Sequence, residues 1–273
     1  MSYVFHREGV GYRETEIGER LYAFSIDPQR ALEEYLQMQI RIKPVYDLMF
    51  KNRIFTYFAA ATPGLRELVT VGKVWELAQL DRRVKRSDKY DLVIVDAPAT
   101  GHGLGLLRTP KTFSDIARVG PIKRQADTIY EFITDASLTS VVAVACPEEM
   151  PVNETIDLQR NLQDELGLPL DEIFMNGIYP ELFADREATV LRERAEQESS
   201  NGNGSDPLGL ARRAALRAAV SEHHRANANH EQLERLAAES AQDPVELPFL
   251  FRPQFDMDAV EELADTIEEQ LRS

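Results

Sequence analysis

Cysteine is nearly absent from this sequence, which has a single one, Cys146, among 273 residues. One cysteine excludes an internal disulfide and any metal site built on a Cys-x-x-Cys pair. Because Cys146 ends the apolar run 141–146, we interpret it as a small buried residue. No apolar run approaches the roughly 20 residues of a membrane span, and the first residues lack the apolar core of a signal peptide. These absences predict a cytoplasmic protein without an integral membrane segment.

Positive charge is also scarce. The chain has 31 Lys and Arg against 46 Asp and Glu, which gives a formal net charge of -15. Nucleic-acid binding needs a basic face, and anionic lipid surfaces attract basic segments, so neither partner is expected. Hydrophobic residues make up 43% of the chain, enough for a substantial core. The length suits one large α/β domain or two small ones.

A Walker A loop is missing from the printed sequence. Such a loop needs a lysine and a hydroxyl residue directly after its last glycine, for phosphate and Mg²⁺. No Gly-Lys-Ser or Gly-Lys-Thr occurs, and the glycine-containing stretch 9–15 continues with Tyr12 and Arg13. That stretch therefore does not predict a phosphate cradle.

The most informative segment that is present runs from Tyr90 to Gly103. Leu92 to Val95 are apolar on consecutive residues, which is typical of a strand covered on both faces of a parallel sheet. Asp96 ends the run, and a loop with Pro98, Thr100 and glycines follows. Chemistry in parallel sheets gathers where strands end and loops begin. The segment predicts a strand whose terminal acid lies at a site, although a strand end with a tight turn explains the bare pattern equally well.

Strands and helices alternate along the rest of the chain. Strands are predicted at 21–26, 139–146, 172–177 and 244–251, and helices after Asp27-Pro28, at 65–80, at 150–166 and from Asp256. Residues 107–136 are predicted to be helical with breaks at Pro110 and at Gly120-Pro121. Alternation of this kind implies right-handed parallel βαβ units. The fold class predicted is α/β, a mostly parallel sheet flanked by helices.

The string from Asp96 to His102 resembles the switch II signature of the ArsA/Get3 family of ATPases. The family string is Asp-Thr-Ala-Pro-Thr-Gly-His; this chain matches at Asp96, Thr100, Gly101 and His102 and permutes the residues between. A Pro-Gly-x-x-Glu at 63–67 and a Leu-Pro near the last strand extend the resemblance. It covers the chain from about Leu21 to the C-terminus and implies a partial P-loop NTPase fold.

The resemblance also implies a site. Asp96 would hold Mg²⁺ through water, Thr100, Gly101 and His102 would sense the terminal phosphate, and ATP with Mg²⁺ would be the cofactors. Asn176 would bind adenine, because an amide both donates and accepts hydrogen bonds, and Pro248 and Phe249 would contact the base. Two simpler interpretations stay open: Asn176-Gly177 is a turn, and Pro248 and Phe249 are a strand end with a core aromatic residue.

In domain terms, the resemblance implies one ArsA-like domain over 1–273, lacking the family's N-terminal P-loop unit. A helical subdomain at 28–85 would precede the switch II strand, and 197–209 would be a flexible polar loop. An unpaired sheet edge left by the missing unit predicts poor solubility or dependence on a partner.

The function implied is ATP binding and hydrolysis coupled to conformational change in the full-length form, with weak or no hydrolysis by this chain alone. One alternative is a non-hydrolysing partner of a complete ArsA-like paralogue, and another is a helical client-binding scaffold. A homodimer or such a heterodimer is expected, with an unknown client. The family's arsenite site and zinc-bridged dimer both need cysteines that are absent, and His223, His224 and His230 do not make a zinc site.

Overall fold

A computed structural model describes residues 9–39, 62–79, 90–117, 119–200, 207–240 and 242–272. The chain divides into two compact units. The first unit comprises residues 1–140 and 160–169, and the second comprises 141–159 and 170–273. Much of the predicted helical subdomain at 28–85, namely residues 40–61 and 80–85, lies outside the described residues.

The first unit begins with an antiparallel hairpin. Strand β1 (Thr15–Gly18) pairs with β2 (Leu21–Ala23), so the predicted strand at 21–26 is shorter than expected and is not part of a parallel sheet. Helix α1 (Pro28–Gln39) follows. The Asp27 carboxylate accepts hydrogen bonds from the backbone N–H groups of Gln29 at 2.9 Å and Arg30 at 3.2 Å. The predicted cap is confirmed, since it satisfies N–H groups that have no partner within the helix.

Three more helices complete the described part of the first unit: α2 (Leu65–Leu77), α3 (Thr100–Ile116) and α4 (Pro121–Thr134). The break predicted at Gly120-Pro121 is confirmed. The break predicted at Pro110 is wrong, because Pro110 lies inside α3 and is fully buried. Packing there offsets the lost backbone hydrogen bond, and the neighbouring Thr109 hydroxyl donates to the Gly105 carbonyl at 2.7 Å.

A nearly buried cation holds α1 to α2. The Lys73 amine lies 3.0 Å from carboxylates of both Glu34 and Glu76, and the Lys73 and Glu76 side chains are only 12% and 10% exposed. Burial alone would lower the pKa of Lys73, but the hydrogen bonds that Lys73 donates to Glu76 and Glu34, together with their charges, outweigh burial and raise the pKa. Burial, followed by the Glu34 carboxylate, raises the pKa of nearby Tyr12.

The second unit contains a parallel sheet of three described strands in the order β3 (Val142–Ala145), β4 (Glu172–Ile178), β5 (Val245–Pro248). Both strand pairs are parallel, which confirms the predicted βαβ arrangement. Helix α5 (Glu149–Leu166) connects β3 to β4 and belongs partly to each unit. It ends as predicted at Gly167, whose φ of 66° is in the left-handed region that favours glycine.

One face of this sheet is buried and the other is open. Ile173 and Met175 of β4 are fully buried at 0% exposure, whereas Val142 and Val144 of β3 are 48% and 68% exposed. Cys146 follows on the open face and is exposed, so its interpretation as a buried residue is wrong. The apolar run could not reveal this, because alternate residues of a strand face opposite sides.

Three helices accompany the sheet: α6 (Asp185–Ser200), α7 (Pro207–Glu239) and α8 (Met257–Arg272). Asp256 caps α8 by accepting from the backbone N–H of Ala259 at 3.2 Å. The Gln270 side chain of α8 exchanges two hydrogen bonds with the backbone of Glu246 in β5, at 2.9 and 2.7 Å. Those bonds satisfy backbone groups of an edge strand.

The predicted central strand at Leu92–Val95 does not form. Tyr90 and Asp91 are held to the hairpin, by a Tyr90–Glu14 hydrogen bond at 2.6 Å and an Arg20–Asp91 ion pair at 2.9 Å. Residues 92–99 then run without regular structure and pair with no described strand. Leu92, Ile94 and Val95 are 75%, 85% and 41% exposed. The prediction is wrong for a physical reason: an apolar run becomes a strand only beside another strand.

Among the described residues, we find no helix that is both apolar enough and long enough to span a bilayer.

Candidate functional site

The segment Asp96–His102 leads directly into helix α3. Asp96 is exposed and forms no hydrogen bond or ion pair with a described residue. The helix begins at Thr100, and its N-cap position is Ala99, which has no side-chain capping group. The Ala99 carbonyl accepts from the N–H groups of His102 at 3.0 Å and Gly103 at 3.3 Å. A carboxylate therefore lies four residues along the chain before a helix start that has no side-chain cap, and helix starts favour anions.

Gly103 permits the tight approach of this loop to its helix. A Cβ atom added to Gly103 would lie 2.8 Å from the backbone oxygen of Pro98. Any larger residue would push the Pro98 segment away from the helix, so the short path from Asp96 to α3 requires glycine here. Gly101 and His102 are both exposed, and a Cβ added to Gly101 would meet nothing within 4 Å.

The second group of predicted residues gathers at the carboxyl ends of β4 and β5. Asn176 pairs in register with Leu247, and Ile178 pairs with Pro248. The backbone N–H of Phe249 donates to the Ile178 carbonyl at 2.8 Å, which prolongs the pairing beyond the strand. Asn176, Pro248 and Phe249 are all exposed. The structure therefore brings together three residues that the resemblance assigned to the nucleotide base.

Aromatic side chains that sequence reasoning missed surround this edge. The Tyr179 ring stacks on Phe249 with centroids 4.6 Å apart and an interplanar angle of 17°. Phe251 meets both rings edge-on, at 5.6 Å from Tyr179 and 4.9 Å from Phe249. The Arg225 guanidinium lies 5.6 Å from the centroid of Tyr179. The alternation of Phe249 and Phe251 just after a strand could have indicated this cluster.

Asn229 of α7 ties two strand ends together. Its amide oxygen accepts from the backbone N–H of Tyr179 at 3.0 Å, and its amide nitrogen donates to the Pro147 carbonyl at 3.2 Å. Pro147 follows β3 and Tyr179 follows β4, so one side chain fixes the carboxyl ends of both strands. Nothing in the local sequence signals this role, because its two partners lie 50 and 82 residues away.

A cavity of about 580 Å³ adjoins these groups in the second unit. The residues lining it come from the segments that follow β3 and β4, from the start of α5 and from α7; they are Pro147, Glu148, Glu149, Tyr179, Arg225, Ala228, Asn229, Glu231 and Gln232. Cavities at the carboxyl ends of parallel strands are the usual place for ligands in α/β proteins.

The family described as "Anion-transporting ATPase" matches residues 1–127 and 115–202, well over half of the chain. The chain belongs to this ArsA family. The matched residues include the Asp96–His102 segment and Asn176, and the predicted membership of the ArsA/Get3 family is confirmed.

Relatives of this ArsA-family chain carry related names. A protein of Halobacterium salinarum named "Putative arsenical pump-driving ATPase" is 30% identical over 200 residues, which are 69% of this chain and 31% of that protein. "ATPase BagA" of Mycobacterium tuberculosis is 29% identical over 184 residues, 67% of this chain and 52% of that protein. "ATPase GET3" of Lachancea thermotolerans is 24% identical over 204 residues, 62% and 56% respectively. The ArsA-family chain thus spans about a third to just over half of these relatives.

The predicted site residues fall into two groups. Asp96, Thr100, Gly101 and His102 are contiguous in the first unit, whereas Asn176, Pro248 and Phe249 come together in the second. Two of the histidines lie near carboxylates instead. His223 is buried, and its Nε2 atom lies 3.5 Å from Oδ1 of Asp185; Nδ1 of His230 lies 3.9 Å from Oε1 of Glu181.

Proposed function

We propose that the first unit of this chain supplies a phosphate-sensing loop and that the second unit supplies a base-contact edge, each of the kind that an ArsA-type ATPase uses. The observation that carries the proposal is the exposed Asp96 carboxylate, which has no partner among the described residues and stands at the start of α3. An aspartate without a structural partner is available to a metal-bound water or to a nucleotide. Asn176, Pro248 and Phe249 support the same function, because they share one edge of the parallel sheet.

The chemical groups of the proposed site residues are compatible with Mg²⁺, with a phosphate and with a purine base. Mg²⁺ prefers oxygen ligands and keeps several waters, and it is commonly held by one or two carboxylates together with substrate phosphates. Asp96 meets that need through water, and the N–H groups that begin α3 suit a phosphate oxygen. When bound, Mg-ATP supplies the phosphoryl group for transfer. The Asn176 amide donates to and accepts from a purine edge, and Phe249 offers an apolar contact to its ring.

The lysine and hydroxyl residue of a Walker A loop are not in the printed sequence, and phosphoryl transfer depends almost entirely on positioning and charge stabilisation. We therefore propose that a P-loop unit outside these 273 residues completes the site. For the chain alone, ATP hydrolysis is expected to be very weak or absent.

The experiment measures Mg-ATP affinity and turnover for the chain alone and after addition of a separately expressed P-loop unit from a complete relative. Asp96→Ala is expected to remove the stimulated turnover, and Asn176→Ala is expected to weaken ATP binding and reduce the preference for ATP over GTP. Asp265→Ala, an exposed carboxylate on α8, is the matched control. Turnover by the chain alone that Asp96→Ala abolishes would show that the site is already complete. Stimulated turnover that survives Asp96→Ala would refute the assigned role.

A second candidate function is that of a non-hydrolysing partner subunit, and the exposed apolar segment Leu92–Val95 favours it. Such a segment gains stability when another chain covers it, because burial removes apolar surface from water. Light scattering of the chain mixed with a complete ArsA-family protein tests this role. A complex that forms with wild type but not with Ile94→Asp would support it, and a monomer in every mixture would exclude it.

A further inference from the structure

Helices α6 and α7 form a groove on the second unit, and two of its lining residues, Arg225 and Ala228, also line the 580 Å³ cavity described above. Its cavity volume is about 770 Å³. The residues lining it are Arg192, Ala195 and Glu196 of α6 and Arg217, Val220, Ser221, His224, Arg225 and Ala228 of α7. On α7 they recur at intervals of three and four residues and therefore share one face of the helix. The groove is thus a continuous trough between two helices.

The charge of the groove is opposite to that of the chain. Three arginines line it against one acid, Glu196, whereas the chain as a whole has a formal net charge of -15. Arg192 is exposed, and no ion pair is seen for it among the described residues. Arg225 lies 3.4 Å from Glu222 and also contacts the Tyr179 ring. Arginine guanidinium groups recognise carboxylates with two parallel hydrogen bonds.

The floor of the groove is apolar and made of small residues. Ala195 and Ala228 come from the two helices, and Val220 lies between the arginines of α7. Small side chains let a third helix approach closely, and apolar floors suit the apolar stripe of an amphipathic helix. From Arg217 to Ala228 the lining runs along α7 for about 16 Å, at roughly 1.5 Å per residue, which corresponds to three helical turns.

We propose that this groove is a docking site for an acidic amphipathic α-helix of a partner protein. The helix would place small or aliphatic residues on Ala195, Val220 and Ala228, and its glutamates or aspartates would meet Arg192, Arg217 and Arg225. Charge complementarity identifies the occupant, because a basic trough on an acidic protein repels further basic segments and attracts acidic ones. The length and open shape of the trough favour a helix over a compact small molecule. The docking site does not depend on the proposed nucleotide function.

The test uses a fluorescein-labelled helical peptide of about 14 residues, long enough to follow the groove. Alanine and leucine occupy one face of the peptide and glutamate the flanks. One control peptide has the same composition in an order that destroys the apolar face, and another replaces every glutamate by lysine. Fluorescence anisotropy with the full chain is expected to show saturable binding of the first peptide only, weakened by salt because the contacts are partly exposed. Equal binding of the reordered peptide would overturn the proposal, since charge alone would then suffice.

The protein variants locate the binding. Arg192→Glu combined with Arg217→Glu is expected to weaken peptide binding by about tenfold or more. The matched control is Arg186→Glu combined with Arg194→Glu, which makes the same charge change on exposed residues of α6 outside the groove. Ala195→Trp fills the floor without changing charge and is expected to block binding too, and circular dichroism checks that each variant keeps its helices. Equal loss of binding in the control, or full binding by Ala195→Trp, would refute the groove as the site.

Discussion

The segment Leu92–Val95 of the first unit and strand β4 of the second are both apolar runs that lead to a polar residue, Asp96 and Asn176 respectively. Their surroundings are opposite. Ile173 and Met175 of β4 are 0% exposed and lie between β3 and β5, whereas Ile94 is 85% exposed and has no described neighbouring strand. Both runs are apolar, and the presence of partner strands decides which one forms a sheet.

The two groups of candidate site residues also differ in how many contacts fix their positions. Around Asn176 the structure fixes the positions of the strand ends through β5 pairing, the Tyr179–Phe249 stack and the Asn229 bridge. Around Asp96 only the start of α3 and the close contact at Gly103 fix the loop. The proposed base-contact edge consequently has several fixed contacts, whereas the proposed phosphate-sensing loop follows an exposed segment.

The largest expected effect on stability comes from replacing an isoleucine by alanine, once in β4 and once in the segment Leu92–Val95. Ile173→Ala is expected to lower the free energy of unfolding by about 4 kcal/mol, because it leaves a cavity in a closed core. Ile94→Ala is expected to change it by less than about 0.5 kcal/mol, as is usual for exposed positions. Urea titration followed by circular dichroism measures both values. An equal cost at Ile94 would show that the segment is covered in solution, and the comparison would then fail.

The next effect tests the ion-pair cluster that joins α1 to α2 in the first unit. Lys73→Met is expected to cost about 3 kcal/mol of unfolding free energy, because Glu34 and Glu76 are left as neighbouring, partly buried carboxylates without their cation. The control Lys111→Met breaks the exposed pair with Asp115 and is expected to cost less than about 0.5 kcal/mol. Thermal unfolding of both variants is the measurement. Similar costs would mean that the Lys73 cluster is as well solvated as a surface pair.

A smaller effect on stability distinguishes Asn229, which holds two strand ends, from Asn176, which is proposed to contact the nucleotide base. Asn229→Ala is expected to lower the free energy of unfolding by about 1–2 kcal/mol, because the Tyr179 N–H and the Pro147 carbonyl both lose their partner. Asn176→Ala is expected to leave stability unchanged, since no hydrogen bond to a described residue is seen for that side chain. Chemical denaturation is compared with ATP titration for each variant. A stability loss at Asn176 would favour its interpretation as a structural turn residue.

The smallest effect is a pH dependence of the first unit. The pKa values of Lys73 and Tyr12 are both raised from ordinary values of 10.5 and 10.0. A raised pKa in the folded state gives stability that is present below the unfolded value and is lost as pH rises through the folded one. Unfolding midpoints are therefore expected to fall above about pH 10, and less so in Tyr12→Phe. An unchanged alkaline slope in that variant would assign the effect to other groups.

Helix ends were the most predictable part of the fold. Asp27 and Asp256 cap helices, Gly167 ends one and Pro121 begins another, because these signals act within a few residues along the chain. The parallel pairing of strands in the second unit was also predictable from the alternation of strands and helices. Pro110 and Cys146 were misjudged, since the packing around α3 and the open face of β3 depend on distant residues.

The sequence by itself determined the family and the candidate loop, because Asp96, Thr100, Gly101 and His102 are contiguous and their pattern needs no structure to be recognised. Only the tertiary structure decided that Leu92–Val95 stays uncovered, that Tyr179, Phe249 and Phe251 surround Asn176, and that arginines of α6 and α7 line one groove. The physical reason is distance along the chain. Caps and motifs are local interactions, whereas strand pairing, aromatic stacking and grooves join residues that only folding brings together.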